Sequence, residues 1–138
     1  MTLLYGHVVN QLARKFKKKL DEQISPLGLY SSQWAIIYYL ADKEKVNQIE
    51  ISHYLNVEAP TITRTLTRLE EEGWIKRESG QDRRERFVML TQKAREKYDE
   101  LFKTSQVMET EASAGISENE LFIFRRVIEQ MNENLDRL

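Results

Sequence analysis

The sequence predicts a mainly α-helical chain carrying one small β-hairpin. Three observations predict it. Glycine and proline are scarce, 5 and 2 in 138 residues, which favours helices over an all-β architecture. Apolar residues recur three and four positions apart through most of the chain, the period of an amphipathic helix. Only one stretch, Trp74 to Leu90, reads as two alternating strands about a turn.

The elements follow in order. Leu4, Val8, Leu12, Phe16 and Leu20 repeat every four positions, and Leu3, Val9 and Ala13 widen the stripe. This is a long helix to about Gln23, stopped by Ser25-Pro26-Leu27-Gly28. Ser31 or Ser32 caps a second helix holding Trp34, Ile37, Tyr38 and Ala41. Asp42 to Val46 is a polar loop. A short helix, Ile49 to Leu55, follows, with Ile49 or Ile51, Tyr54 and Leu55 inward. After the turn Asn56-Val57-Glu58, Pro60 suits a first helical position, where its missing N–H costs nothing. Ile62, Leu66 and Leu69 form the apolar stripe of that helix, and Gly73 ends it as a left-handed cap. The strands Trp74–Glu78 and Arg86–Leu90 enclose a Ser79-Gly80-Gln81 turn and a charged tip, Asp82 to Arg86. Thr91 caps a helix whose seam is Ala94, Tyr98, Leu101, Ser105, Met108 and Ala112; Gly115 stops it. Ser117 and Glu120 then make a capping box. The last helix carries a seam of Leu121, Phe124, Ile128, Met131, Leu135 and Leu138.

The unit from Asn47 to Glu72 is helix, three-residue turn, helix, the helix-turn-helix spacing. Opposite its apolar stripe the second helix shows Thr61, Thr63, Arg64, Thr67 and Arg68, with no acidic residue before Glu70. A polar-faced helix followed by an arginine-tipped ribbon suits a DNA duplex, the helix in the major groove and the ribbon beside it. Singly, each signal is more often a solvated helix face or a soluble hairpin; their order raises the reading above that. Net charge is −1, so overall charge gives no hint of nucleic acid, but its distribution does. Arg14 to Lys19 holds five basic residues, and Lys76 to Arg86 five against three acidic; after Thr91 acidic residues lead ten to seven. Such segregation fits a localised phosphate-binding surface.

The run Leu66-Thr67-Arg68-Leu69-Glu70-Glu71-Glu72-Gly73-Trp74-Ile75, then Asp82-Arg83-Arg84 and Leu90-Thr91, resembles the signature of the MarR family of bacterial winged-helix regulators. The resemblance covers essentially the whole chain. It implies a winged helix-turn-helix DNA-binding lobe over about residues 30–91. Dimerisation helices occupy about 3–24 and 92–138 of one continuous domain.

By motif position, Thr61, Thr63 and Arg64 meet base edges, with Thr65 flanking them and Arg68 on phosphate. Arg64 suits bidentate pairing with guanine O6 and N7, worth roughly 1–3 kcal/mol of discrimination. The hydroxyls and N-terminal amides of Ser31 and Gln48 are further phosphate candidates. Where the family pattern places threonine before the second helix, Tyr30 stands here. Asp82 and Arg84 match the family's Asp-x-Arg pair, which implies that Arg84 enters the minor groove and Asp82 steers it. Arg83 and Arg86 serve the flanking backbone. The family often holds a pocket where anionic aromatic effectors loosen DNA binding. His7, Asn10 and Arg14, with Trp34 and Tyr38, are the residues that could line it, although Trp34 and Tyr38 also read as ordinary core aromatics.

The terminal seams have no obvious cover within one chain, so they are expected to pack against a second copy. An intramolecular helical hairpin is the alternative. A two-fold dimer implies a palindromic operator with half-sites about 10 base pairs apart. The expected role is a promoter-binding repressor; a winged-helix protein-interaction module without DNA binding is the alternative function.

Other classes find no support. There is no cysteine, which excludes disulfides and the family's thiol-sensing branch. His7 and His53 are far apart and have no helical partner for a metal. No Gly-rich phosphate loop or nucleophile elbow occurs, so neither an enzyme nor a cofactor is expected. No signal peptide or long apolar run is present, which makes a cytoplasmic protein without membrane contact the simplest expectation.

Overall fold

Six helices and three short strands make up the computed structural model, which describes residues 2–138. Two compact units can be distinguished, one running to Met108 and the other Glu109–Leu138. In the first, α1 (Tyr5–Ile24) passes through a 3-10 turn, Ser25–Leu27, to Gly28, whose φ of 98° lets the chain reverse. Then come α2 (Ser31–Leu40), β1 (Val46–Asn47), α3 (Gln48–Leu55), α4 (Ala59–Glu71), β2 (Ile75–Ser79) and β3 (Arg86–Leu90). Helix α5 (Gln92–Ala112) starts in this unit and ends in the second, which also holds α6 (Glu118–Asp136).

The elements of the first unit contribute to one core. Ile36, Ile37 and Leu40 of α2 meet Ile51 of α3 and the α4 stripe Ile62, Leu66 and Leu69. Trp74, Ile75, Val88 and Leu90 close it from the hairpin, and Ala94 and Leu101 from α5. The sheet is antiparallel in the order β1-β3-β2, with Val46 opposite Val88 and Arg77 opposite Val88 on the other side.

Helix α4 ends as the sequence predicts, with detail. Gly73 has φ 84°; its N–H donates to Glu70 O, and Trp74 N–H reaches back to Leu69 O. This is a Schellman closure, with buried Trp74 and Leu69 as its apolar pair. A Cβ at Gly73 would find room, its nearest neighbour being a Lys93 side-chain carbon at 3.8 Å. Gly73→Ala is therefore opposed by backbone conformation and not by a clash. It is expected to cost about 1–2 kcal/mol, measured by denaturant unfolding at fixed protein concentration; an unchanged midpoint would refute this.

Four local expectations are corrected. The Asp42–Val46 loop ends in a strand: buried Val46 and Asn47 form β1, the third strand of the sheet. No serine caps α2. Tyr30 takes the cap position, and the buried Gln33 side chain accepts its N–H at 2.9 Å. Asn47 caps α3 by accepting the Ile49 amide at 3.1 Å, so the helix starts one residue earlier, at Gln48. Finally, Tyr54 faces out, 54% exposed. It stacks on Tyr39 at 4.1 Å between centroids, and the Tyr39 hydroxyl donates to Glu50. Of the two isoleucines in α3, Ile51 is inward and Ile49 exposed.

In the second unit the capping box forms as expected. Glu120 N–H donates to Ser117 Oγ, and Ser117 N–H to Glu120 Oε1, both at 3.1 Å. No residue of α6 is buried.

Candidate nucleic-acid interface

The side chains expected to face DNA lie on α4, the start of α3, the start of α2 and the β2–β3 tip. Because Ile62, Leu66 and Leu69 fix the buried side of α4, Thr61, Thr63, Arg64 and Arg68 are turned outward and exposed, and Thr65 is half-buried beside them. Thr63 and Thr65 donate their hydroxyl protons to carbonyls one turn back, Ala59 O and Thr61 O at 3.0 Å. What they retain for a ligand is acceptor capacity and a methyl group. Arg64 Nη2 rests on Thr61 Oγ1 at 3.3 Å, and Arg68 pairs along the helix with Glu72 at 3.2 Å. Both are exposed contacts of little energy, on the order of 0–1 kcal/mol, so both guanidiniums are easily released to a phosphate or base.

Gln48 does not stand free. Its Nε2 donates to Thr63 Oγ1 at 2.9 Å, which ties the first residue of α3 to the exposed face of α4. Its Oε1 is buried and has no hydrogen-bond partner among the described residues. Ser31 is also engaged: its amide donates to Asp21 Oδ1 of α1 at 2.6 Å, while its hydroxyl is buried and unpartnered.

At the ribbon tip Asp82, Arg83, Arg84 and Arg86 are all exposed. The Asp82 carboxylate accepts the main-chain amide of Arg84 at 3.1 Å. It thus shapes the turn that carries Arg84 and leaves the guanidinium unclaimed. A small cavity of about 90 Å³ is lined by Gln48, Ser52 and Ala59 together with Arg84 and Arg86, so the tip and the start of α3 meet. A larger open cleft of about 420 Å³ gathers Arg64, Thr65 and Arg68 of α4 with Tyr30 and Ser32 and with Lys17 and Asp21 of α1. Three cations line it, and Lys17 is one that the helix-turn-helix pattern alone does not single out.

Trp34 and Tyr38 lie in one aromatic cluster with Tyr98 and Phe102, at centroid separations of 5.5 to 6.4 Å. Burial pushes the Tyr98 hydroxyl pKa upward. His7, Asn10 and Arg14 lie exposed along α1, and their side chains make no hydrogen bond or ion pair among the described residues.

One residue that sequence reasoning passed over is Arg77 of β2. Its side chain, only 18% exposed, donates to Glu70 of α4 at 2.8 Å through Nη2 and 3.2 Å through Nε. The hydrogen bonds from this guanidinium hold the Glu70 carboxyl below the usual carboxylate range. The signal was present: Ile75, Arg77 and Ser79 share one face of β2, and a charge beside a buried isoleucine needs a partner.

Among the described residues no helix is long and apolar enough to cross a membrane, and no group of three His, Cys, Asp or Glu could hold a metal.

The MarR family model matches residues 29–85, which spans α2 to the ribbon tip. The chain is 54% identical over 95 residues, 69% of each protein, to the HTH-type transcriptional regulator YwoH of Bacillus subtilis (strain 168). Its fold is similar to that of transcriptional regulator PA3341, with TM-score 0.87 and 28% identity over 98% of this chain and 100% of that one. A mutant MarR from E. coli, complexed with operator DNA, has the same fold at TM-score 0.83 and 21% identity, over 91% of each chain. On the strength of the curated relative and of the matched recognition lobe, this chain belongs to the MarR family of winged helix-turn-helix transcriptional regulators and is not an enzyme.

Proposed function

We propose that the chain is a cytoplasmic homodimer that reads a palindromic operator and represses the promoter carrying it. The observation that carries this reading is the outward face of α4. It offers Thr61, Thr63, Arg64 and Arg68 beside an arginine-bearing wing tip, with no carboxylate on that face before Glu70. The fold is shared with MarR of E. coli complexed with operator DNA, and with AbfR, whose reduced form is bound to DNA. In this reading Arg64 and the α4 threonines meet base edges. Arg84 enters the minor groove, while Arg68, Arg83, Arg86 and the α3 N-terminus hold phosphates; the Asp21 carboxylate already takes the Ser31 amide of α2. Dimerisation rests on the exposed apolar side chains of α1 and α6. The aromatic cluster of Trp34 and Tyr38, with His7, Asn10 and Arg14 on α1, is where a small aromatic or anionic effector would act.

Selection of bound sequences from random duplex DNA tests the reading: a two-fold motif with half-centres about 10 base pairs apart is expected. Affinity on that operator will fall steeply with salt. With roughly three to four phosphates engaged per protomer, the log–log slope of the dimer is expected at about −5 to −7. A slope near zero would sink DNA binding.

A further inference from the structure

We propose that Arg77 is a positioning residue for DNA reading: it fixes the wing against α4, so that Arg84 reaches the minor groove at a set offset from Arg64. The inference rests on the DNA-binding function proposed above.

Antiparallel partners share a sheet face, and Arg77 pairs with buried Val88, which in turn pairs with Val46. Arg77 thus stands on the middle row of the three-stranded sheet, on the side turned to the core, next to buried Ile75. An apolar side chain would be the ordinary occupant of that position. Arginine there reaches α4 through several bonds. Nη2 and Nε donate to Glu70 Oε1, Nη2 also to Thr67 Oγ1 at 3.2 Å, and the Arg77 main-chain N–H donates to Glu70 Oε2 at 3.2 Å. Glu70 and Thr67 lie three residues apart on α4, so the planar fork meets two fixed points of one helix face. Replacing a partly buried ion pair by well-packed apolar residues often leaves stability unchanged or raised. What the pair supplies is therefore orientation. A greasy contact permits sliding of the hairpin along α4; a forked, multiply bonded contact permits one setting. The wing has need of that, because its tip, residues 80–85, lies beyond the last ladder pair, Ser79 with Arg86.

The test uses the full-length protein on its selected operator. It compares wild type with the apolar double variant Glu70→Leu/Arg77→Met and with Arg77→Lys. Dimethyl sulfate protection of guanine N7 reports the helix in the major groove, and hydroxyl-radical protection of the flanks reports the wing. The double variant is expected to melt close to wild type and to keep N7 protection at saturating protein. It should lose flank protection and roughly tenfold in affinity for each half-site, the value of one groove contact. Arg77→Lys keeps the charge without the fork and is expected to show the same selective loss more weakly; it carries the test if the double variant does not fold. Equal loss of both protections, retention of both, or an Arg77→Lys protein identical to wild type would overturn the assignment. A wild-type protein that protects neither groove would instead overturn the DNA-binding function itself.

Discussion

Leu121→Glu, Phe124→Glu and Leu135→Glu combined in one chain are expected to abolish high-affinity operator binding, although none of the three lies near the recognition lobe in sequence. In the single chain these side chains are 37%, 53% and 64% exposed, so carboxylates there do not disturb a packed core. Helix α1 likewise leaves Val8, Val9 and Leu12 exposed, as is Leu4 just before it. On each helix, soluble monomers rarely leave so many large apolar side chains open along one face. Burying each such side chain is worth roughly 1.5–3 kcal/mol relative to exposure, enough to couple folding to association in the proposed dimer. Separated reading heads lose the effective concentration that tethering supplies, on the order of 10²–10⁴ in affinity. Sedimentation of the variant, with gel-shift titration of the selected operator, measures both effects. Wild type should also melt at a temperature that rises with protein concentration. A soluble wild-type monomer with a concentration-independent midpoint would remove the dimer, and the palindrome with it.

Arg64→Ala and Arg84→Ala are the second pair of large effects, and they are expected to differ in kind. Loss of Arg64 should remove the proposed base contact, worth roughly 1–3 kcal/mol, and relax preference at one base pair per half-site. Loss of Arg84 should weaken binding chiefly on operators with A·T-rich flanks, because a narrow minor groove focuses the potential that a guanidinium senses. Asp82→Ala should behave as a milder Arg84→Ala, since the carboxylate acts on the wing through the Arg84 amide. Competition titrations with operators altered at single positions or in the flanks separate the cases. If both arginine variants weakened specific and non-specific DNA equally, both would be phosphate contacts and not readers.

Periodicity made the main architecture legible. The stripe Ile62, Leu66, Leu69 placed α4 and, by elimination, its outward face; Gly73 and the Ser117–Glu120 pair marked helix ends correctly. What escaped were contacts between elements. A strand of two residues, Val46 and Asn47, has no period to read and exists because β3 offers it an edge. Tyr54 falls at an apolar position by spacing, yet it stays exposed and its ring stacks on Tyr39. The α2 cap depends on Gln33 folding back, which leaves the serines free of that task. In the candidate interface, residue types and their shared face could be read from the sequence. The Gln48–Thr63 and Arg77–Glu70 bonds could not, because they join residues 15 and 7 positions apart through tertiary packing.

The closure at Gly73 is also a joint. Thr91 Oγ1 donates to Gly73 O at 2.6 Å and accepts the Ala94 amide that opens α5. Lys93 Nζ donates to Glu72 O at 2.8 Å and sits 4.5 Å over the Trp74 ring. The carbonyls just past α4, of Glu72 and Gly73, are thus fastened to Thr91 and Lys93 at the start of α5. Mechanically α4 is a beam fastened at both ends, to α5 at its C-terminal end and, near Thr61 to Arg64, to α3 through the Gln48–Thr63 bond and to the core through Ile62. Its 13 residues measure about 20 Å at 1.5 Å per residue. A tilt of about 5° about the C-terminal joint would carry the N-terminal end, with α3 bonded to it, about 1.7 Å, enough to take a hydrogen bond out of range. In the proposed function, small changes in the direction of α5 would therefore be magnified at the α4 face assigned to bases, and an effector would need to move the helix it touches only slightly to be felt at the operator.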